Sequence, residues 1–166
     1  MIHLMNLTLA LTIPITLGAL CGTISERGGI IMLGVEGMML MGAFSAVLGS
    51  YVTGSAIIGV LFAMLVGGLL GFLYCLFCLK FKAHQSVIGV GLNLFASGIT
   101  KVLLKAIWGQ EGMSTFVDTI GKVNLPLLKS IPVIGPIFFD QSPFLYLTLV
   151  IVAAVWFVFY RSKFGL

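Results

Sequence analysis

Glu36 is the residue whose chemistry most needs an account. It lies in the stretch SERGGIIMLGVEGMMLMGAF, residues 25–44, between long apolar runs and close to Glu26, Arg27 and the glycines Gly28, Gly29, Gly34, Gly37 and Gly42. An ionised side chain at the centre of a lipid-facing helix costs about 2.5–3.5 kcal/mol, so such groups normally face protein or a water-filled path. Glycines this frequent weaken a continuous helix, because each loses more backbone freedom on ordering than any other residue. The stretch therefore reads as a broken or re-entrant membrane segment near residues 25–36. Its hinge is Ser25, Glu26, Arg27 and Gly34, and a fresh half-helix starts near Val35. Glu36 then either lines a solute path or sits at the positive end of a half-helix, where a carboxylate is favoured. An ion pair with Arg27 is a third possibility.

A second polar set recurs at helical spacing: Ser86, Gly89, Asn93, Ser97, Thr100 and Lys101, opposite a face of Val, Leu, Ile and Phe. Two accounts are open. Ser, Thr and Asn hydrogen-bond neighbouring helices in membranes, and a small-residue face lets helices approach closely. Alternatively the face borders a solute path, with Asn93, Ser97 and Lys101 as its polar groups. Lys101 and Lys105 could also snorkel outward beside Trp108.

No arrangement for bond chemistry is present. The sequence has no phosphate loop of the G-x-x-x-x-G-K-[ST] form and no metal-ligand quartet, so neither a cofactor nor a metal is expected. Cys75 and Cys78 make a C-x-x-C inside an apolar run without further ligands, which reads as structural thiols. His84 lies among basic residues at a membrane edge.

The elements that must hold these groups follow from composition. Hydrophobic residues make up 60% of the chain and charged ones 8%, with a mean hydropathy of +1.19. A soluble domain carries about 25% charged residues, so this is an all-α integral membrane protein. The net charge of +4 is scattered at the ends of apolar runs rather than clustered with aromatics, which speaks for topology and against nucleic acid. Residues 4–21, 35–51, 56–79, 86–108 and 143–160 are the five expected crossings; the third gives about 36 Å of helix. Pro14 should kink the first. The pairs Gly18/Gly22, Gly42/Ala46 and Gly67/Gly71 have small-xxx-small spacing suited to helix packing. A cleaved signal peptide is the rival for the first run, but a basic start is lacking. Residues 110–142, with Pro126, Pro132 and Pro136, form an external loop, and Phe116, Ile120, Val123, Leu127 and Ile131 mark a short amphipathic element in it. Lys80, Lys82 and His84, then Arg161 and Lys163, mark the cytoplasmic side. Both markers give an external N-terminus and a cytoplasmic C-terminus, within one transmembrane domain over residues 1–166.

Four ordered stretches, TISERGGIIMLGVEGMMLMGAF, HQSVIGVGLNLFASGIT, LPLLKSIPVIGPIFFDQSP and FYRSKFGL, resemble permease subunits of bacterial ATP-binding-cassette importers for nucleosides and simple sugars. These belong to the superfamily of ribose and branched-chain amino-acid permeases, and the resemblance runs from residue 23 onward. It implies a plasma-membrane transport subunit without enzymatic activity. The implied partners are cytoplasmic ATP-binding subunits, a second permease subunit, and an external substrate-binding protein or lipoprotein that delivers a small-molecule substrate. Glu36, Gly37 and Asn93 are the path or gate residues it suggests, and Arg161, Phe164 and Gly165 would begin the loop that meets the ATPase. Family members continue beyond F-G-L, so the chain is expected to be the N-terminal half of a longer permease. A self-contained channel or ion-gradient carrier is the alternative, since such carriers also use broken helices and intramembrane carboxylates.

Overall fold

A computed structural model describes residues 2–109, 113 and 143–161. Five helices are long and apolar enough to cross a membrane: α1 (Ile2–Arg27), α2 (Val35–Thr53), α3 (Ala56–Leu79), α4 (Gln85–Trp108) and α5 (Pro143–Arg161). No strand occurs among the described residues. The expected amphipathic element in 110–142 lies outside them, as do Phe164 and Gly165. The fold divides into two units: one is Cys21–Thr119, the other Met1–Leu20 with Ile120–Leu166.

In the second unit, α1 carries Pro14, which removes one backbone donor. Thr8, Thr12 and Thr16 each donate their hydroxyl to the carbonyl four residues back, at 2.8 Å. Such back-bonding satisfies a hydroxyl that faces lipid. Pro143 opens α5 at the position where a missing N–H costs nothing. Leu145 and Thr148 are its buried residues.

The first unit is built around α2. Helix α3 runs antiparallel to it after a short turn, in which Gly54 takes the left-handed conformation (φ 64) and donates to Ser50 O at 2.8 Å. Helix α4 runs parallel to α2: the contacts Gly37–Asn93, Met41–Thr100 and Phe44–Trp108 advance together along both helices. Consequently the start of α2, the end of α3 and the start of α4 share one end of the unit.

The α2–α3 crossing is made by small residues: the expected pair Gly42/Ala46 lies in it, together with Gly49 and Gly59, which spacing did not single out. A Cβ on Gly59 would stand 2.5 Å from Ala46 O, and one on Gly49 would stand 3.1 Å from Gly59 Cα. Helices this close exclude any larger side chain. Among the described residues, Gly67, Gly71 and Gly22 have nothing within 4 Å of a built Cβ, so these glycines are not at a helix crossing there. A Cβ on Gly42 would lie 4.0 Å from Ala63 O, an ordinary contact. Spacing reveals which glycines share a face, but only the partner's position decides which face is covered. At the far end Trp108 packs edge-on against Phe44 and Tyr51, with ring centroids 6.2 and 5.5 Å apart.

Candidate functional site

The broken segment exists, and it is shorter than the sequence suggests. Ser25, Glu26 and Arg27 form the last turn of α1 rather than part of the loop. The reason is a left-handed helix stop: Gly29 has φ +81, its N–H donates to Glu26 O at 3.0 Å, and the Ile30 N–H donates to Ser25 O at 3.1 Å. This pair of bonds satisfies carbonyls that a helix end would otherwise leave orphaned. Residues 28–34 are non-helical, and α2 begins at Val35 as expected.

Backbone groups that no helix satisfies must find partners in protein or water. Here three side chains from α3 and α4 supply them. The Ile31 N–H donates to Gln85 Oε1 at 2.9 Å, and Gln85 Nε2 reaches Gly29 O at 3.5 Å. Tyr74 donates its hydroxyl to Ile31 O at 2.8 Å, with Gln85 O at 3.1 Å sharing the same proton. Asn93 Nδ2 donates to Leu33 O at 3.2 Å, while its Oδ1 accepts the Gly37 N–H at 2.8 Å. That last bond replaces a local cap, because Gly34, the N-cap residue, has no side chain to offer. Cys21 and Ser25 complete the cradle from α1, at 3.7 and 3.3 Å from Met32 Sδ.

Glycines allow α4 to come this close. A Cβ on Gly89 would stand 2.7 Å from Leu33 Cβ and 3.1 Å from Gly34 N, and one on Gly37 would stand 2.8 Å from Asn93 Oδ1. Below the break lies the small core of Met38, Leu70 and Tyr74, where Tyr74 is fully buried.

The polar face of α4 thus divides in two. Gly89 and Thr100 are buried, and Thr100 Oγ1 donates to Met41 Sδ at 3.4 Å. Asn93 is committed to the break. Ser86 and Lys101 are exposed, and half-buried Ser97 donates, among the described residues, to Leu94 O of its own helix at 3.0 Å. Glu36 is the second residue of α2, exposed, with no hydrogen-bond or ion-pair partner among the described residues. It occupies the first turn, where the helix dipole favours a carboxylate. Arg161 ends α5.

Sequence reasoning missed Tyr74 and Gln85. A signal for each existed: a tyrosine with a hydroxyl to satisfy inside an otherwise apolar span, and a glutamine directly after the basic turn. A groove of about 370 Å³ also runs between α3 and α4, lined by Leu70, Leu73, Phe77, Ile88 and Phe95 among others. Its lining is apolar and comes from α3 and α4.

Residues 4–166 match the family described as branched-chain amino acid transport system / permease component. The chain is 33% identical over 166 residues to the guanosine ABC transporter permease protein NupQ of Bacillus subtilis, covering 96% of this chain and 52% of that protein. It is 36% identical over 160 residues to the nucleoside ABC transporter permease protein NupC of Lactococcus lactis, covering 92% and 50%. Against the putative glucose ABC transporter permease protein TsgC13 of Haloferax volcanii the identity is 34%, covering 98% and 49%. The chain therefore spans about half the length of these relatives. No solved structure matches. With five apolar helices and a family match that runs almost end to end, the chain belongs to the permease-component family of branched-chain amino acid transport systems.

Proposed function

We propose that this chain is part of the membrane permease of an ATP-driven importer of nucleosides, and that Glu36, Ser97 and Lys101 border the solute path on the open side of the α2–α4 pair. The supporting observation is the state of Glu36. Around it the backbone of the break is tied down by Tyr74, Gln85 and Asn93, yet the carboxylate itself is exposed and unpartnered among the described residues. Gly37 lies level with Asn93, eight residues into α4, which places Glu36 about 12 Å in from the α3–α4 turn. At that depth a charge facing lipid is costly, and a water-filled path relieves the cost. Gly37 serves the path indirectly, by letting α4 approach.

Two of the three relatives above carry nucleoside or guanosine in their names and one carries glucose, which favours nucleosides with simple sugars as the second reading. Arg27, Lys80, Lys82 and His84 gather at one end of the unit, and by the positive-inside rule that end is cytoplasmic. The N-terminus is then outside, the C-terminus inside, and Arg161 leads into the segment with Phe164 and Gly165 that would meet the ATPase. The partners proposed are cytoplasmic ATP-binding subunits, a second permease subunit and an external substrate-binding protein or lipoprotein. Solute moves as ATP binding and hydrolysis on those partners switch the permease between outward- and inward-open states.

Isolation of the permease from native membranes in mild detergent, followed by mass spectrometry, tests this reading. Co-purification of an ATPase and ATP-dependent guanosine uptake by the reconstituted complex is the expected result. A protein isolated alone that moves solute on an ion gradient would overturn it in favour of a carrier.

A further inference from the structure

The break and the α3–α4 turn form one hydrogen-bonded unit. The start of α2 has no anchor of its own, since Gly34 makes no side-chain cap and residues 28–34 form no helix. Its position is set from outside, by Gln85 and Tyr74 at one end of the break and Asn93 at the other. Gln85 offers an acceptor to the Ile31 N–H and a donor to Gly29 O. One carboxamide thus pairs with backbone groups two residues apart, in the way a neighbouring strand would. The Tyr74 hydroxyl touches both the break, at Ile31 O, and the first residue of α4, at Gln85 O.

Gln85 also directly follows the exposed turn of residues 80–84. That turn has a defined shape: Lys82 holds φ 50, in the left-handed region that residues other than glycine seldom adopt. The Ala83 N–H reaches back to Phe77 O at 3.4 Å.

We infer that Tyr74 and Gln85 are positioning residues for the transport path: they lock the break to the start of α4 and so set where Glu36 stands. The inference rests on the reading of Glu36 as a path group. The rest of the unit is held elsewhere, through Gly49–Gly59, Met41–Thr100 and the Phe44–Trp108 pair. Loss of the clamp should thus free the break without dismantling the three-helix unit.

The test uses the permease co-expressed with its partner subunits and reconstituted in vesicles. Its readouts are the concentration dependence of ATP-driven guanosine uptake, or of ribose uptake if the unmodified complex carries that instead, and the rate at which a maleimide labels Ile30→Cys, half-buried against the Met38, Leu70 and Tyr74 core, with the native cysteines replaced by serine. Gln85→Leu is expected to lower maximal uptake at least fivefold, to leave the half-saturating concentration within twofold, and to speed labelling at least fivefold, with the complex recovered at native yield. Gln85→Glu keeps the acceptor for the Ile31 N–H but turns a carboxylate oxygen toward Gly29 O, and is expected to stay well below the unmodified rate. Native uptake in Gln85→Leu, or a Gln85→Glu variant as fast as the unmodified complex, would overturn the inference. If Gln85→Leu does not assemble, Tyr74→Phe, which removes only the hydroxyl, decides by the same readouts. The two readings fail separately: unchanged uptake in Glu36→Gln removes the path assignment, whereas unchanged labelling in Gln85→Leu removes the clamp whatever Glu36 does.

Discussion

Truncation of Asn93 to alanine removes two hydrogen bonds at once. Its Oδ1 accepts the Gly37 N–H at 2.8 Å and its Nδ2 donates to Leu33 O at 3.2 Å, so Asn93→Ala leaves a backbone donor and a backbone acceptor unmatched at the start of α2. Interhelical side-chain hydrogen bonds in membranes average about 0.6 kcal/mol and reach about 1.7 kcal/mol, which puts the pair at about 1–3 kcal/mol. That corresponds to about a 5- to 150-fold shift toward a displaced break. Hydrogen exchange at residues 28–37 of the reconstituted permease reads this shift directly, and guanosine uptake reads its consequence. Ser97→Ala is the control for exchange alone, since among the described residues Ser97 donates to Leu94 O of its own helix. Asn93→Asp sharpens the test: it keeps an acceptor for the Gly37 N–H but turns a carboxylate oxygen toward Leu33 O, and should not rescue. Native exchange at residues 28–37 in Asn93→Ala, or equally raised exchange there in Asn93→Ala and Ser97→Ala, would refute the view that Asn93 holds the break.

Four further outcomes are expected. Gly59→Ala should sharply reduce the thermal stability of the purified complex, because its Cβ would stand 2.5 Å from Ala46 O, whereas Gly67→Ala, with nothing within 4 Å, should be neutral or slightly stabilising. Gly29→Ala should cost about 1–2 kcal/mol, because φ +81 suits glycine and no other common residue there; a melting curve identical to the unmodified protein would contradict the helix-stop assignment. Glu36→Gln should lower guanosine uptake while the yield of assembled complex stays the same, and a loss of assembly would instead mark Glu36 as structural. Cysteines at Lys82 and Met113, both exposed, should label from the cytoplasmic and the external side respectively; the reverse pattern would invert the topology.

Five membrane helices were legible in the chain because their signal is local and additive: apolar runs of the right length, closed by Gly54, Lys80 and Gly109 at their ends. The break before Val35 was equally legible, since clustered glycines and a carboxylate conflict with a lipid-facing helix wherever they occur. The family could be read for a similar reason, as its motifs are contiguous strings. The boundary at Ser25 was less accessible, because it depends on where a left-handed glycine falls, and Gly28, Gly29 and Gly34 could each have supplied it. Here Gly29 does.

Sequence alone thus determined that the chain crosses a membrane, where it breaks, and that Glu36 sits just beyond the break. Only the tertiary structure decided what the polar positions do. Spacing put Asn93, Ser97 and Lys101 on related faces of α4, but the approach of α2 commits Asn93 to the Gly37 and Leu33 backbone and leaves the other two outside that contact. Tyr74 and Gln85 became functional candidates only when α3 and α4 were folded against residues 29–31, some 43 to 56 positions away in the chain. A hydrogen bond between groups so distant in sequence has no periodicity to betray it; it exists because irregular backbone in an apolar medium must find its partners wherever the fold brings them.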